Sequence, residues 1–159
     1  MCIRDRARSV IQGLINLNLS KISVISRNKS SLDELIKNFD NQIQIQGLLN
    51  SDDNAQILIQ EADLIVNTTP VGMKTNKYEN NVLPYGEAFW QSLNPQTIVY
   101  DLIYNPCPTP LLKFSANKGC RTIDGLQMLV AQGMKSISFW TDGLEVPFDV
   151  MNKSLKKYL

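Results

Sequence analysis

The sequence predicts an α/β protein with a doubly wound parallel sheet, and two observations support this fold class. Short β-rich segments alternate with segments of helical period along the whole chain. One β-rich segment, LIV at 64–66, is continuously apolar, as is typical of a buried parallel strand. The length of 159 residues and the 43% hydrophobic composition fit one compact domain.

The first half of the chain contains three strand segments that alternate with helical segments. Ser31 and Glu34 have the spacing of a capping box, which predicts the start of a helix. The predicted elements are, in order, helix 7–17 (ARSVIQGLINL), strand 21–26 (KISVIS), helix 31–39 (SLDELIKNF), strand 42–47 (QIQIQG), a helix within 51–61 and strand 62–69 (ADLIVNTT).

The second half continues the same alternation. Prolines near the start and a glycine at the end of PTPLLKFSANKG predict a helix over 108–119. The other predicted elements are a short helix at 84–93 (PYGEAFWQSL), strands at 97–104 (TIVYDLIY) and 121–123 (RTI), and amphipathic helices at 125–140 and 146–159.

Composition limits the partners and the chemistry. A net charge of +1 gives no reason to expect nucleic acid or an anionic membrane surface as partner. No apolar run approaches the roughly 20 residues of a membrane helix, and no signal peptide is evident, so we expect a cytoplasmic protein.

Three cysteines without C-x-x-C spacing are expected to be reduced. Because histidine is absent, we expect no metal site and proton transfer by Lys, Asp, Glu, Tyr or water.

Ligands of a doubly wound sheet bind beyond the carboxyl ends of its strands. Four segments of this sequence follow predicted strands and carry polar or turn-forming residues. They are SRN (26–28), NTTPVGM (67–73), DLIYNP (101–106) and DG (124–125). A small-molecule ligand is therefore expected to contact these segments.

The first of these segments indicates the cofactor. The strand ends in Ser26-Arg27-Asn28, where a dinucleotide fold that selects NAD usually has an acidic residue. A guanidinium at this position can hold the 2′-phosphate of NADP through two charge-assisted hydrogen bonds. The segment therefore favours NADP, and an arginine simply exposed beside a helix start is the alternative.

Each remaining candidate has a structural alternative. NTTPVGM suits a close backbone approach to a ligand, but also a simple chain reversal. The Tyr104 hydroxyl either forms a hydrogen bond to a substrate or faces water while the ring packs against the protein. Gln132, one turn after Met128, either binds a polar ligand or is exposed. Asp124 is expected to cap the next helix. Asp101 is a candidate base, but its place inside a strand motif favours a structural role.

Three longer segments resemble shikimate dehydrogenase, the NADP-dependent enzyme family of aromatic amino-acid and chorismate biosynthesis. They are ADLIVNTTPVGM, IVYDLIYNPCPTPLL and IDGLQMLVAQGMKSISFW, in this order and at family-like separations. The resemblance extends from Ala7 to the end of the chain and implies a Rossmann-like sheet. The activity that it implies is reversible, NADP-dependent reduction of 3-dehydroshikimate to shikimate.

The resemblance also implies roles for individual residues, and it implies no catalytic residue in this chain. Arg27 is the implied clamp of the 2′-phosphate, in a loop where serine replaces the family's usual asparagine at position 26. The residues implied to bind NADP are Ser26, Arg27, Asn28, Lys29, Ser30, Ser31, Thr68, Thr69, Leu102 and Gly125. The residues implied to bind the substrate are Tyr104 and Gln132.

The amino-terminal end departs from the family. Family members carry a G-A-G-G-x-A-R loop, whose backbone amides bind the pyrophosphate at a helix start. This sequence keeps only Ala7-Arg8 of that loop and has CIRDR where the glycines belong. We interpret residues 1–6 as a leader foreign to the family, an artefact of assembly or of a truncated gene model. Residues 7–159 are then a truncated NADP-binding domain with carboxyl-terminal helices.

Under this interpretation the chain lacks the first strand of the 3-2-1-4-5-6 sheet. It also lacks the amino-terminal substrate domain, which holds the family's catalytic lysine and aspartate. Loss of a central strand predicts a chain that folds poorly or has a gap in its sheet. We therefore expect an inactive fragment of the enzyme.

Two alternatives stay open. One is a non-catalytic NADP-binding module, or a degenerate remnant of the enzyme. A narrower one is quinate/shikimate dehydrogenase, with quinate as an additional substrate. The resemblance leaves a homodimer open as well.

Overall fold

The computed structural model describes residues 3–19, 21–74 and 82–157. Helices and parallel strands alternate along these residues, which confirms the predicted α/β fold class. The chain divides into two compact units, Met1–Ala62 with Tyr85–Asn94 and Asp63–Pro84 with Pro95–Leu159. None of the helices in the described ranges is long and apolar enough to cross a bilayer.

The first unit contains a two-stranded parallel sheet. Its elements are α1 (Ile3–Asn16), β1 (Ile22–Ser26), α2 (Lys29–Lys37), β2 (Ile45–Leu49), α3 (Asn54–Glu61) and a 3-10 helix (Glu87–Trp90). The strands pair in register from Ile22 opposite Ile45 to Ser26 opposite Leu49. Apolar faces of α1 and α2 pack on the sheet, and the buried core residues are Ile11, Ile22, Leu35, Phe39 and Ile45.

The second unit contains a three-stranded parallel sheet in the order β3-β4-β5. Its elements are β3 (Leu64–Asn67), β4 (Ile98–Asp101), α4 (Pro110–Asn117), β5 (Arg121–Ile123), α5 (Leu126–Trp140) and α6 (Phe148–Leu155). Thr109 caps α4, since its hydroxyl oxygen accepts a hydrogen bond from the Leu112 amide at 3.2 Å. The central strand β4 supplies Val99, which is completely buried.

The strands thus form two sheets instead of one. β1 pairs with β2 and β3 pairs with β4, and neither β1 nor β3 has a second partner among the described strands. Within the described residues the two sheets have the strand orders β1-β2 and β3-β4-β5.

Strand β3 is more exposed than its apolar sequence predicts. Leu64 is 38% exposed, and Ile65 and Val66 are only half-buried. The expectation of a fully buried strand is therefore wrong for this element. The physical reason is that β3 is an edge strand within its unit, whereas a central strand would be covered by neighbours on both sides.

Several element boundaries in the first unit differ from the predicted ones, and α1 begins at Ile3 instead of residue 7. The predicted capping box at Ser31 is wrong, because α2 begins at Lys29 and Asn28 is its cap. Strand β2 begins at Ile45 and not at residue 42. The amides of residues 42 and 43 instead donate to the Phe39 carbonyl, which keeps them in the turn after α2.

Candidate functional site

The candidate residues fall into two groups, one in each unit, and each group is described by itself. Ser26 to Ser31 lie in the first unit, at the end of β1 and the start of α2. Thr68, Thr69, Leu102, Tyr104, Gly125 and Gln132 lie in the second unit.

Ser26 and Asn28 form a compact turn after β1. The Ser26 hydroxyl accepts a hydrogen bond from the Asn28 amide at 3.2 Å and is 3.3 Å from the Asn28 carbonyl oxygen, to which it can donate. The Asn28 side-chain oxygen accepts a hydrogen bond from the Ser31 amide at 2.9 Å and caps α2. Both side chains are therefore engaged in holding the turn, and Arg27 lies between them with its side chain exposed.

The turn carries two cations with different surroundings. Lys29 forms an ion pair with Asp33, one helical turn further along α2. Arg27 makes no ion pair or hydrogen bond to any residue in the described part of the chain. The start of α2 also favours a negative ligand, because its first amides point out of the helix. Arg27 is thus the side chain of this turn that is available to an anion.

Tyr85 supports the same turn, and sequence reasoning missed it. Its hydroxyl donates a 3.0 Å hydrogen bond to the Ile25 carbonyl, next to Ser26, and its ring packs edge-on against Phe89 with centroids 4.9 Å apart. Burial raises the pKa of the Tyr85 hydroxyl, while the positive charge of Arg27 acts in the opposite direction. The predicted helix over 84–93 is wrong at its start, because Tyr85 and Gly86 have positive φ and only Glu87–Trp90 forms a 3-10 helix; no signal in the sequence identifies Ile25 as the partner.

In the second unit, two buried side chains join the ends of β3 and β4. The Asn67 amide nitrogen donates to one carboxylate oxygen of Asp101 at 3.0 Å, and the Ile103 backbone amide donates to the same oxygen at 3.1 Å. The Thr109 hydroxyl donates to the other oxygen at 2.7 Å. Asp101 itself is 0% exposed. It therefore has the structural role that the sequence favours over that of a base.

The electrostatics of Asp101 reflect this burial. Loss of solvent raises the pKa of its carboxyl group from 3.8 to about 6, and the hydrogen bonds from Thr109, Ile103 and Asn67 oppose the rise. The carboxylate is thus mostly ionised at neutral pH and is stabilised by three neutral donors.

The NTTPVGM segment is organised by Asn67. The Asn67 side-chain oxygen accepts hydrogen bonds from the Thr69 amide at 3.0 Å and the Thr69 hydroxyl at 2.8 Å. The chain then reverses, with the Met73 amide bonded to the Pro70 carbonyl at 3.1 Å and Gly72 at a φ of 96°. Chain reversal and a hydrogen-bonded Thr69, next to Thr68, are therefore both present in this segment.

Leu102 and Gly125 lie in close backbone contact. A Cβ atom on Gly125 would be 2.1 Å from the Leu102 carbonyl oxygen, so only glycine fits. The Gly125 amide also donates to the Ile103 carbonyl at 3.2 Å, and the Leu102 amide donates to the Asn67 carbonyl at 3.1 Å. The structure thus brings the predicted segments after β3, β4 and β5 together at one end of this sheet.

The two predicted substrate contacts are accessible. Tyr104 is 36% exposed, and Gln132 is exposed on α5. Gln132 is therefore not a buried amide that needs internal partners. Asp124 accepts a hydrogen bond from the Leu126 amide at 2.9 Å, although Gly125 and not Asp124 is the cap residue of α5. Its other oxygen accepts a hydrogen bond from the Cys107 thiol at 3.3 Å.

Comparison with known proteins gives a consistent result. The family model for the Shikimate 5′-dehydrogenase C-terminal domain matches residues 125–156. Over 153 residues the chain is 84% identical to a shikimate dehydrogenase (NADP(+)) of Prochlorococcus marinus strain AS9601, a match that covers 96% of this chain and 54% of that relative. The chain thus spans about half the length of the curated relatives that it matches.

Solved structures share the fold. A quinate dehydrogenase from Corynebacterium glutamicum in complex with NAD has a TM-score of 0.79 at 24% identity, covering 94% of this chain and 51% of that one. A shikimate dehydrogenase in complex with NADP+ has a TM-score of 0.69 at 29% identity, covering 87% and 46%. The Rossmann-like fold class and the resemblance seen in the three sequence segments are both confirmed.

Proposed function

Because the chain matches shikimate dehydrogenases over nearly its whole length, we infer that it belongs to that family and is the cofactor-binding half of an NADP-dependent shikimate dehydrogenase. The observation that carries this inference is the 84% identity over 153 residues to a protein of that name. The complete protein catalyses the reversible reduction of 3-dehydroshikimate to shikimate. It is proposed to act in the cytoplasm on this small-molecule substrate.

The turn after β1 fits the adenosine end of NADP. Arg27 is exposed, and in the described part of the chain no carboxylate pairs with it, so its guanidinium is available to the 2′-phosphate. Ser26 and Asn28 fix the turn, and the start of α2 adds backbone amides. Lys29, Ser30 and Ser31 belong to the same proposed cofactor site.

The second unit fits the nicotinamide half and the substrate. Bound NADPH supplies the hydride that reduces the substrate carbonyl. Thr68, Thr69, Leu102 and Gly125 are proposed to line the cofactor, because the structure holds them at one end of the sheet. Tyr104, which is 36% exposed, is proposed to orient the substrate through its hydroxyl.

Gln132 is the second proposed substrate contact, and its exposed amide can both donate and accept a hydrogen bond. The lysine and aspartate of proton transfer are proposed to lie in the half of the protein that this chain does not include. Under this proposal the chain binds the cofactor and orients the substrate, and residues of the other half of the protein transfer the proton.

The alternative in another functional class is an NADP-binding module without catalysis. A direct test uses the completed protein, defined as this chain preceded by the amino-terminal half of the 84%-identical Prochlorococcus relative. We expect NADPH oxidation that depends on 3-dehydroshikimate. NADPH binding without turnover would favour the module, and a lack of NADPH binding would refute both. Quinate, tested alongside shikimate in the oxidation direction, distinguishes the narrower alternative.

Substitution of Arg27 by alanine tests the cofactor assignment. We expect the completed protein to lose about 1.5–3 kcal/mol of NADP binding, the range for hydrogen bonds to charged groups, with little change in NAD binding. Dissociation constants for both dinucleotides, measured by calorimetry, give this comparison.

Lys37→Ala is the matched control for Arg27→Ala. It removes one exposed positive charge from the other end of α2 and should leave both dissociation constants unchanged. Equal weakening of NADP and NAD by Arg27→Ala would contradict the 2′-phosphate role.

A further inference from the structure

We propose that Asp101 is a positioning residue, which holds the loops after β3 and β4 and the start of α4 in the one arrangement that the nicotinamide half and the substrate require. This inference rests on the proposed function, since it concerns the geometry of that site. Asp101 is itself absent from the proposed set of ligand contacts.

The first argument is the reach of its hydrogen bonds. Asp101 accepts one bond from Asn67 at the end of β3, 34 residues away, and one from Thr109, the cap of α4. It accepts a third from the Ile103 amide in its own loop. A single buried carboxylate thus connects three segments of this unit.

The second argument is that its partners are themselves engaged. The Asn67 oxygen accepts from the Thr69 amide and hydroxyl, and the Thr69 hydroxyl oxygen lies 3.3 Å from the Val71 amide. The Thr109 oxygen accepts from Leu112. Each side chain has one orientation that satisfies all its bonds, so the orientation of Asn67, and through it the Thr69 turn, depends on Asp101.

The third argument is burial. Asp101 is 0% exposed, whereas Thr68 and Thr69 are half-buried and Tyr104 is 36% exposed. A ligand can reach the threonines and the tyrosine but cannot touch the Asp101 carboxylate. Any effect of Asp101 on the reaction must therefore pass through the loops that it holds.

Hydrogen exchange in the completed protein tests the positioning directly. In Asp101→Ala, backbone amides of 67–73 and 101–106 are expected to exchange about tenfold faster, because bonds that hold these loops are lost. The turn at 26–31 in the first unit should be unchanged. Unaltered exchange at 67–73 and 101–106 would overturn the inference, whatever the enzyme's activity.

Kinetics separate positioning from general loss of structure. We expect Asp101→Ala to raise the shikimate KM about tenfold, the equivalent of about one hydrogen bond to the substrate, while the NADP-to-NAD preference stays unchanged. Arg27→Ala should leave the shikimate KM unchanged and lower the preference for NADP over NAD. Ser115→Ala is the matched control, because it removes a buried hydroxyl that has no hydrogen-bond partner within the described ranges. Its KM should equal that of the parent.

Two further variants, Asp101→Asn and Thr109→Val, complete the test. Asp101→Asn keeps the oxygen that Asn67 and Ile103 share, so we expect it to restore the shikimate KM to within about threefold of the parent. If Asp101→Ala does not fold, Thr109→Val is used, and faster exchange at 101–106 supports the inference; exchange at the start of α4 is not counted, because Thr109 also caps that helix. Parent-like exchange at 101–106 refutes it. An inactive parent would refute the proposed function alone, because the exchange data still decide the role of Asp101.

Discussion

Replacement of Gly125 by alanine is expected to remove most of the activity of the completed protein. The added Cβ would lie 2.1 Å from the carbonyl oxygen of Leu102 and 2.5 Å from its carbonyl carbon. Both atoms are backbone, so no side-chain rotation can relieve the overlap. Gly125 has φ −78° and ψ 0°, which alanine also adopts, so the effect is steric and not conformational.

The displacement falls on the proposed nicotinamide site. Either the Leu102 backbone or the start of α5 must move, which we expect to cost about 1–3 kcal/mol of the free energy of unfolding. A shift of roughly 1 Å in reacting groups should lower kcat/KM about a hundredfold. Urea unfolding and steady-state kinetics of the completed protein measure the two effects.

Gly13 offers a matched control for this substitution. It lies inside α1, and a Cβ there would meet no atom within 4 Å. Gly13→Ala should therefore stabilise the protein by about 0.5–1 kcal/mol and leave kcat/KM unchanged. Parent-like kinetics for Gly125→Ala would mean that Leu102 and Gly125 do not shape the cofactor site.

The order of elements was predictable because it depends on local period and on turn residues. Alternating apolar patterns gave the succession of strands and helices, and the segments after the strands marked where polar side chains gather. The capping of α2 was placed three residues too late, since Asn28 and Ser31 are both good cap residues and the sequence spacing alone favoured the second.

The arrangement of the site was less predictable because it depends on partners far apart in sequence. The bond from Asn67 to Asp101 spans 34 residues, and the bond from Tyr85 to the Ile25 carbonyl spans 60. No local pattern encodes such pairs. The exposure of Leu64 was missed for a related reason, since an apolar run predicts a strand but not how many neighbours that strand has.

The stability of the completed protein should depend on pH through Asp101. Its carboxyl pKa is about 6 in the folded chain, because of burial, and 3.8 in an unfolded chain. Between these values the unfolded state has released the proton while the native state retains it, so the free energy of unfolding falls as pH rises. The contribution is fully present below pH of about 4 and lost above about 6. Its size is about 3 kcal/mol.

Asp101→Asn isolates this contribution, because asparagine does not titrate. The pH dependence of every other group is the same in the parent and the variant and cancels in the difference between their free energies of unfolding. The free energy of unfolding of the parent minus that of Asp101→Asn should fall by about 2 kcal/mol between pH 4 and pH 7, measured by urea titration. Thr109→Val removes a hydrogen bond that favours the ionised carboxylate, so it should raise the Asp101 pKa and move the fall to higher pH. The free energy of unfolding of Ser115→Ala should have the same pH dependence as that of the parent. Parallel pH profiles for the parent and Asp101→Asn would show that the Asp101 carboxyl titrates alike in the folded and unfolded chains, and that its three donors offset burial completely.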